Sequence, residues 1–96
     1  MSELISRIEE TIQSMPAAPA TFDTHDFIRV LAHNHQQAYV DALHETEGDR
    51  PFQQLHAEIG RRLKTLKEYV VEREANRPSP DVFGNMSGCS VWERRR

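Results

Sequence analysis

Ninety-six residues with 38% hydrophobic content support one modest core and leave little room for a deep substrate cavity beside it. The single cysteine, Cys89, excludes an intramolecular disulfide and any CxxC metal motif. A net charge of −3 at first argues against nucleic acid, and no run approaches the ~20 apolar residues that span a bilayer.

Residues Ser2 to Met15 read as a first helix. Ser2 can cap it, Glu3 sits favourably in its first turn, and Leu4, Ile5, Ile8, Ile12 and Met15 form an apolar stripe. The start, MSELISRIEE, is acidic and amphipathic and lacks the basic, apolar pattern of a secretory signal, so a cytoplasmic protein is expected. Residues 16–20, rich in proline and alanine, form a stiff connector. The expected organisation is therefore a helix over 1–15, a connector over 16–20 and a domain over 21–96. A helix this short needs a surface to bury its stripe. Either the core of the same chain or the same helix of a second copy would serve. In the second case Leu4, Ile5, Ile8 and Ile12 are the contact of a homodimer.

Asp23 is the next start signal. As an N-cap it places Phe22 and Phe27 at the two positions of a hydrophobic staple. The second helix then runs to about His33-Asn34 with Phe27, Val30 and Leu31 inward. A third covers about Gln36 to His44, with Tyr39, Val40 and Leu43 apolar. Thr46 to Pro51 is a turn. Asp49 is a candidate cap there, and Pro51 suits a first helical turn because its missing N–H has no partner to lose.

The segment from Pro51 to Glu74 changes period in its middle. Phe52, Leu55, Ile59, Leu63 and Leu66 recur at three- and four-residue spacings, as in a helix with one buried stripe. From Tyr69 onward, Val71, Glu72, Arg73 and Glu74 follow an apolar start and read as a strand edge. The helix is thus expected to stop near Lys67 or Glu68 and feed a strand. In IGRRLKTLKEYVVE this junction resembles the third helix of the winged helix-turn-helix superfamily of DNA-binding domains. The resemblance implies a mainly α domain with a small C-terminal β-hairpin, preceded by an extra N-terminal helix. It makes Gln36–Leu43, the turn and Phe52–Leu66 the helix-turn-helix.

At about 100° per residue, Gln54, Ala57, Arg61 and Lys64 fall opposite the buried stripe, flanked by Gln53 and Thr65. Arg and Gln pair bidentately with guanine and adenine edges in a major groove. The same residue types are ordinary on a solvated face. After the strand, residues 75–80 read as a loop by composition, extending as a long wing to about Cys89. Phe83 is expected to tuck back onto the core. Ser90 to Arg94 alternates and closes the hairpin, with Trp92 over the helices.

Charge is unevenly spread. Residues 1–49 hold two cations and nine anions, whereas residues 50–96 hold ten cations and six anions. Fields within a Debye length of ~10 Å govern docking more than the whole-chain sum. The basic half contains the helix and wing that would meet a duplex, although three of its cations are the terminal arginines.

Catalytic and metal chemistry finds little support. Five histidines lack HExxH or zinc spacing. Cys89 has no base at a recognisable position. FGNMSG lacks the GK[ST] ending of a phosphate loop. Neither an enzyme nor a cofactor is expected.

Two readings remain open. One is a transcriptional regulator binding duplex DNA as a homodimer, with Gln53, Gln54, Ala57, Arg61 and Lys64 at bases or phosphates and Arg50, Arg73 and Arg77 on the backbone. The other is a non-enzymatic protein-interaction module, its acidic N-terminal half offering a surface to a basic protein partner.

Overall fold

Three helical stripes and one tryptophan converge on a single core. In a computed structural model of the chain, residues 2–18 and 20–95 are described, Ser2 by its backbone alone. The expected Ser2 cap, Pro19 of the connector and Arg96 of the basic tail lie outside them. The elements run α1 (Ser2–Ser6), α2 (Ile8–Ser14), β1 (Thr21–Asp23), α3 (Thr24–Asn34), α4 (Gln36–Glu45), α5 (Pro51–Thr65), β2 (Val70–Pro80) and β3 (Met86–Arg94). The result is an α/β domain of helices on a small antiparallel sheet, with strand order β1-β3-β2.

The N-terminal segment departs from expectation twice. It is interrupted at Arg7, although Leu4, Ile8 and Ile12 keep one stripe across the break. These three side chains are fully buried in the common core, and Ile5 packs against it partly buried. The stripe is therefore satisfied within the chain, and the dimer contact expected of Leu4, Ile5, Ile8 and Ile12 is not on offer. Met15 joins them, so the segment packs into the same core as the helices that follow.

Asp23 caps α3 as expected, accepting the Asp26 amide at 2.8 Å. The Phe22 and Phe27 rings stack with centroids 5.7 Å apart, which is the staple. Phe22 also lies in β1, a strand the periodicity does not announce, where it pairs with Trp92. In α4 only Ala42 is fully buried, while Val40 is exposed.

Pro51 opens α5 at its first position, but the cap is Arg50 with no side-chain bond rather than Asp49. Leu55, Ile59 and Leu63 are fully buried, and Phe52 and Leu66 at the ends of the stripe only partly. The helix stops at Thr65, and β2 begins five residues later, at Val70.

The loop expected over 75–89 is mostly strand. Pairing continues from Arg77↔Cys89 to Pro80↔Met86, so the turn spans only residues 81–85. Pro78 and Pro80 are tolerated because β2 is an edge strand, whose outward amides need no partner. Register shifts between Glu72 and Glu74 and between Glu74 and Arg77 absorb the extra residues. Asn76 takes a left-handed conformation at φ 57° in the second. Phe83 does fold back, its ring meeting Phe52 of α5 edge-on with centroids 4.8 Å apart, but it stays outside the buried core at 59% exposed.

Leu63→Ala is expected to lower stability by ~2–5 kcal/mol through loss of buried surface and a residual cavity. Gly60→Ala should raise it by ~0.4–1 kcal/mol, since alanine favours helix and restricts the unfolded chain. An added Cβ there meets only Thr24 Cγ2 at 3.9 Å, ordinary contact. Urea unfolding measures both; a destabilised Gly60→Ala would mean that α3 and α5 approach more closely than described.

Candidate functional site

A cleft of about 350 Å³ opens between α5, the start of α3 and the β2–β3 hairpin. Small residues make room for it: Ala57 and Gly60 face it from α5, and Gly88 from β3. Gln53, His56, Arg61 and Lys64 line the helical wall, and Thr24, His25 and Ile28 come from α3. Asp81, Ser87, Cys89, Ser90 and Trp92 complete the hairpin side.

Hydrogen bonds across 51 to 68 residues of chain hold the hairpin against α3. Trp92 Nε1–H donates to Thr24 Oγ1 at 2.9 Å, and the Thr24 hydroxyl donates to the Ser90 carbonyl at 3.3 Å. The Ser79 hydroxyl donates to Asp23 Oδ2 at 2.8 Å, so that carboxylate caps α3 with one oxygen and anchors β2 with the other. Arg29 Nη2 donates to the carbonyls of Pro80 and Asp81.

Two imidazoles lie in the cleft wall. His25 is 8% exposed, with Nε2 3.3 Å from the Ser87 hydroxyl. Its Nδ1 is buried with no hydrogen-bond partner among the described residues. A buried polar atom in that state costs ~1–3 kcal/mol. His56 Nε2 lies 2.6 Å from the Tyr39 hydroxyl. Burial pushes the Tyr39 hydroxyl up to about 12. Burial, then the charge of His25, lower His56, against a smaller pull from Asp81. Tyr39 and His56 are therefore both neutral at pH 7. Burial tends to raise Asp81, but amide hydrogen bonds from Asn85 and Phe83, with His25 and His56 nearby, hold it below the usual carboxylate value.

The expected interface residues divide into three groups. Arg50, Gln53, Gln54, Ala57 and Arg61 share a shallow groove at the first half of α5 with Asp49. Lys64 lies further along, exposed between the cleft and the base of β2. Arg73 and Arg77 are not brought to α5. Arg73 pairs with Glu93 at 3.1 Å, and Arg77 lines a different groove beside Asp23 and Asp26. Arg61 is also paired, with Glu58 at 2.6 Å.

His25, His56, Asp81 and Ser87 escape a sequence reading. His56 carries the one usable signal: with Phe52 and Gly60 it forms a row at four-residue spacing, on the edge of the buried stripe. Nothing local ties His25 to Ser87, 62 residues away. No family model, curated protein or solved structure matches the chain.

His56 generates a stability prediction. Its folded value lies below the ordinary 6.5, so near and below that pH the unfolded chain binds more protons. Its contribution is fully present above 6.5 and is lost as pH falls through the lowered value. His56→Gln should flatten this part of the stability profile between pH 7.5 and 5, read by urea unfolding at several pH values. An unchanged profile would show that His56 is not held neutral by the fold.

Proposed function

We propose that the chain is a small winged-helix protein that binds duplex DNA and acts in transcriptional regulation, with α5 as the helix that enters the major groove. The observation that carries the reading is the outward face of α5. Gln53, Gln54, Ala57, Arg61 and Lys64 are all exposed on a helix that passes directly into a hairpin. The strand order β1-β3-β2, with helices between β1 and β2, suits a winged helix.

The Glu58 pairing of Arg61 is a weak obstacle. Arg61 is exposed and Glu58 partly so, and such solvent-facing pairs contribute ~0–1 kcal/mol. A bidentate base contact is worth ~1–3 kcal/mol, enough to draw the guanidinium away. Arg50 stands at the start of the same helix, where a backbone phosphate would pass. Arg73 and Arg77 contribute less than Arg50, because each has a carboxylate partner and neither adjoins α5. A homodimer on DNA would need a contact other than the buried Leu4, Ile8 and Ile12 stripe.

A second reading is favoured by the far end of the hairpin. Phe83 and Met86 are 59% and 65% exposed, in a chain of net charge −3. An adaptor that docks protein partners would use such residues, with exposed Glu47 and Asp49 adding negative charge for a basic partner.

Binding to random duplex at low salt separates the two. The DNA reading requires measurable affinity that falls steeply as salt rises. On a selected site Arg61→Ala should cost ~1–3 kcal/mol and relax the base preference. Lys64→Ala should weaken all sequences alike and reduce the salt slope by about one. If both variants bind like the parent chain, or the parent binds no duplex, the adaptor reading takes over.

A further inference from the structure

We infer that the cleft between α5, α3 and the hairpin is a seat for a phosphate ester, with His25, His56, Ser87, Arg61 and Lys64 as its walls. This extends the reading above from the outward face of α5 to the cavity beside it, but does not require that reading to hold.

The cleft's charge is the first ground. Arg61 and Lys64 supply two cations from α5, and His56 from α5 and His25 from α3 supply two imidazoles. Asp81 from the turn is the only carboxylate in the wall, and its Oδ1 already accepts the Phe83 and Asn85 amides at 2.9 and 3.0 Å. Of the carboxylates next to the wall, Glu58 pairs with Arg61 and Glu72 accepts the Ser90 hydroxyl. Cys89, also in the wall from β3, is the remaining titratable group. The balance of available groups favours an anion.

Geometry narrows the anion. Polar groups reach the cleft from three elements: Gln53, Arg61 and Lys64 on α5, His25 on α3, and Ser87 on the hairpin. A tetrahedral oxyanion can meet donors from three directions, whereas a planar carboxylate serves fewer. At about 350 Å³ the space exceeds a bare phosphate, and Ile28, Ala57 and Trp92 give it an apolar side for an ester substituent. His25 is more than nine-tenths buried at the back of this space, with its Nε2 met by the Ser87 hydroxyl, and its buried Nδ1 has no partner among the described residues.

The phosphate could belong to a duplex backbone or to a free phosphorylated molecule. The full-length chain is titrated at pH 6.5 with sodium phosphate, and in parallel with sodium chloride at equal ionic strength. Imidazole and amide NMR signals are the readout. Saturable shifts specific to phosphate are expected at His25, His56, Ser87 and Gly88. Ser87→Ala, an exposed position, should weaken phosphate about tenfold, the loss of one hydrogen bond to a charged group. His56→Gln should weaken it as well; both variants are checked for a parent-like spectrum first. Equal shifts in chloride, shifts centred elsewhere, or unaltered affinity in Ser87→Ala would overturn the seat. A random duplex is then added to the phosphate-loaded chain. Displacement of phosphate supports the seat and assigns it to the nucleic-acid backbone. Phosphate binding that duplex does not disturb supports it as a site for a free phosphate ester. Should duplex bind nowhere while phosphate still binds, the DNA reading fails and the seat stands.

Discussion

Two adjacent side chains at the start of α3 determine how the sheet meets the helices. Asp23 divides its carboxylate between the Asp26 amide and the Ser79 hydroxyl. Thr24 accepts from the Trp92 indole and donates to the Ser90 carbonyl. One helix cap thus also positions both long strands. The cost of burying the indole N–H of Trp92 is met only because Thr24 lies at the β1–α3 corner. The corner in turn depends on Phe22, which stacks on Phe27 and pairs with Trp92. Remove the corner and the hairpin loses its register against α3, and with it one wall of the cleft.

Parts of this were legible in the sequence because they obey local rules. The α5 stripe, the Asp23 cap, the Phe22–Phe27 staple and the passage of α5 into a strand all follow from periodicity and short-range capping. The same rules fail where distant partners decide. β1 has three residues, too few for alternation to register, and exists because β3 offers it an edge. Pro78 and Pro80 look like loop in isolation, yet an edge strand accommodates them. The Leu4, Ile8 and Ile12 stripe predicts burial but not against what; three-dimensional packing places it in the chain's own core. The outward residues of α5 were recovered as exposed, while the cleft was not, since it is assembled from α3, α5 and a hairpin far apart along the chain.

The electrostatic layout qualifies the functional picture in a specific way. Two cations on the hairpin are matched by carboxylates, Arg73 by Glu93 and Arg77 by Glu74. Those on α5 are less firmly matched, Arg61 by a half-exposed neighbour one turn back and Lys64 by no ion pair among the described residues. The outward face of α5 therefore carries positive charge to which the paired Arg73 and Arg77 add little. Recognition that depends on charge would be directional, approaching from the α5 side.

The shape of the hairpin's outer margin carries a further implication. β2 is a sheet edge with two register shifts, a left-handed residue at Asn76 and prolines at 78 and 80. The opposite edge, β1, offers only three residues. Neither margin presents the long, flat row of amides and carbonyls that another chain could extend. Partners that bind by adding a strand are thus disfavoured, as is edge-to-edge self-assembly. The edges thus favour recognition by side chains, from a helix face, a cleft or the hairpin turn, over backbone pairing.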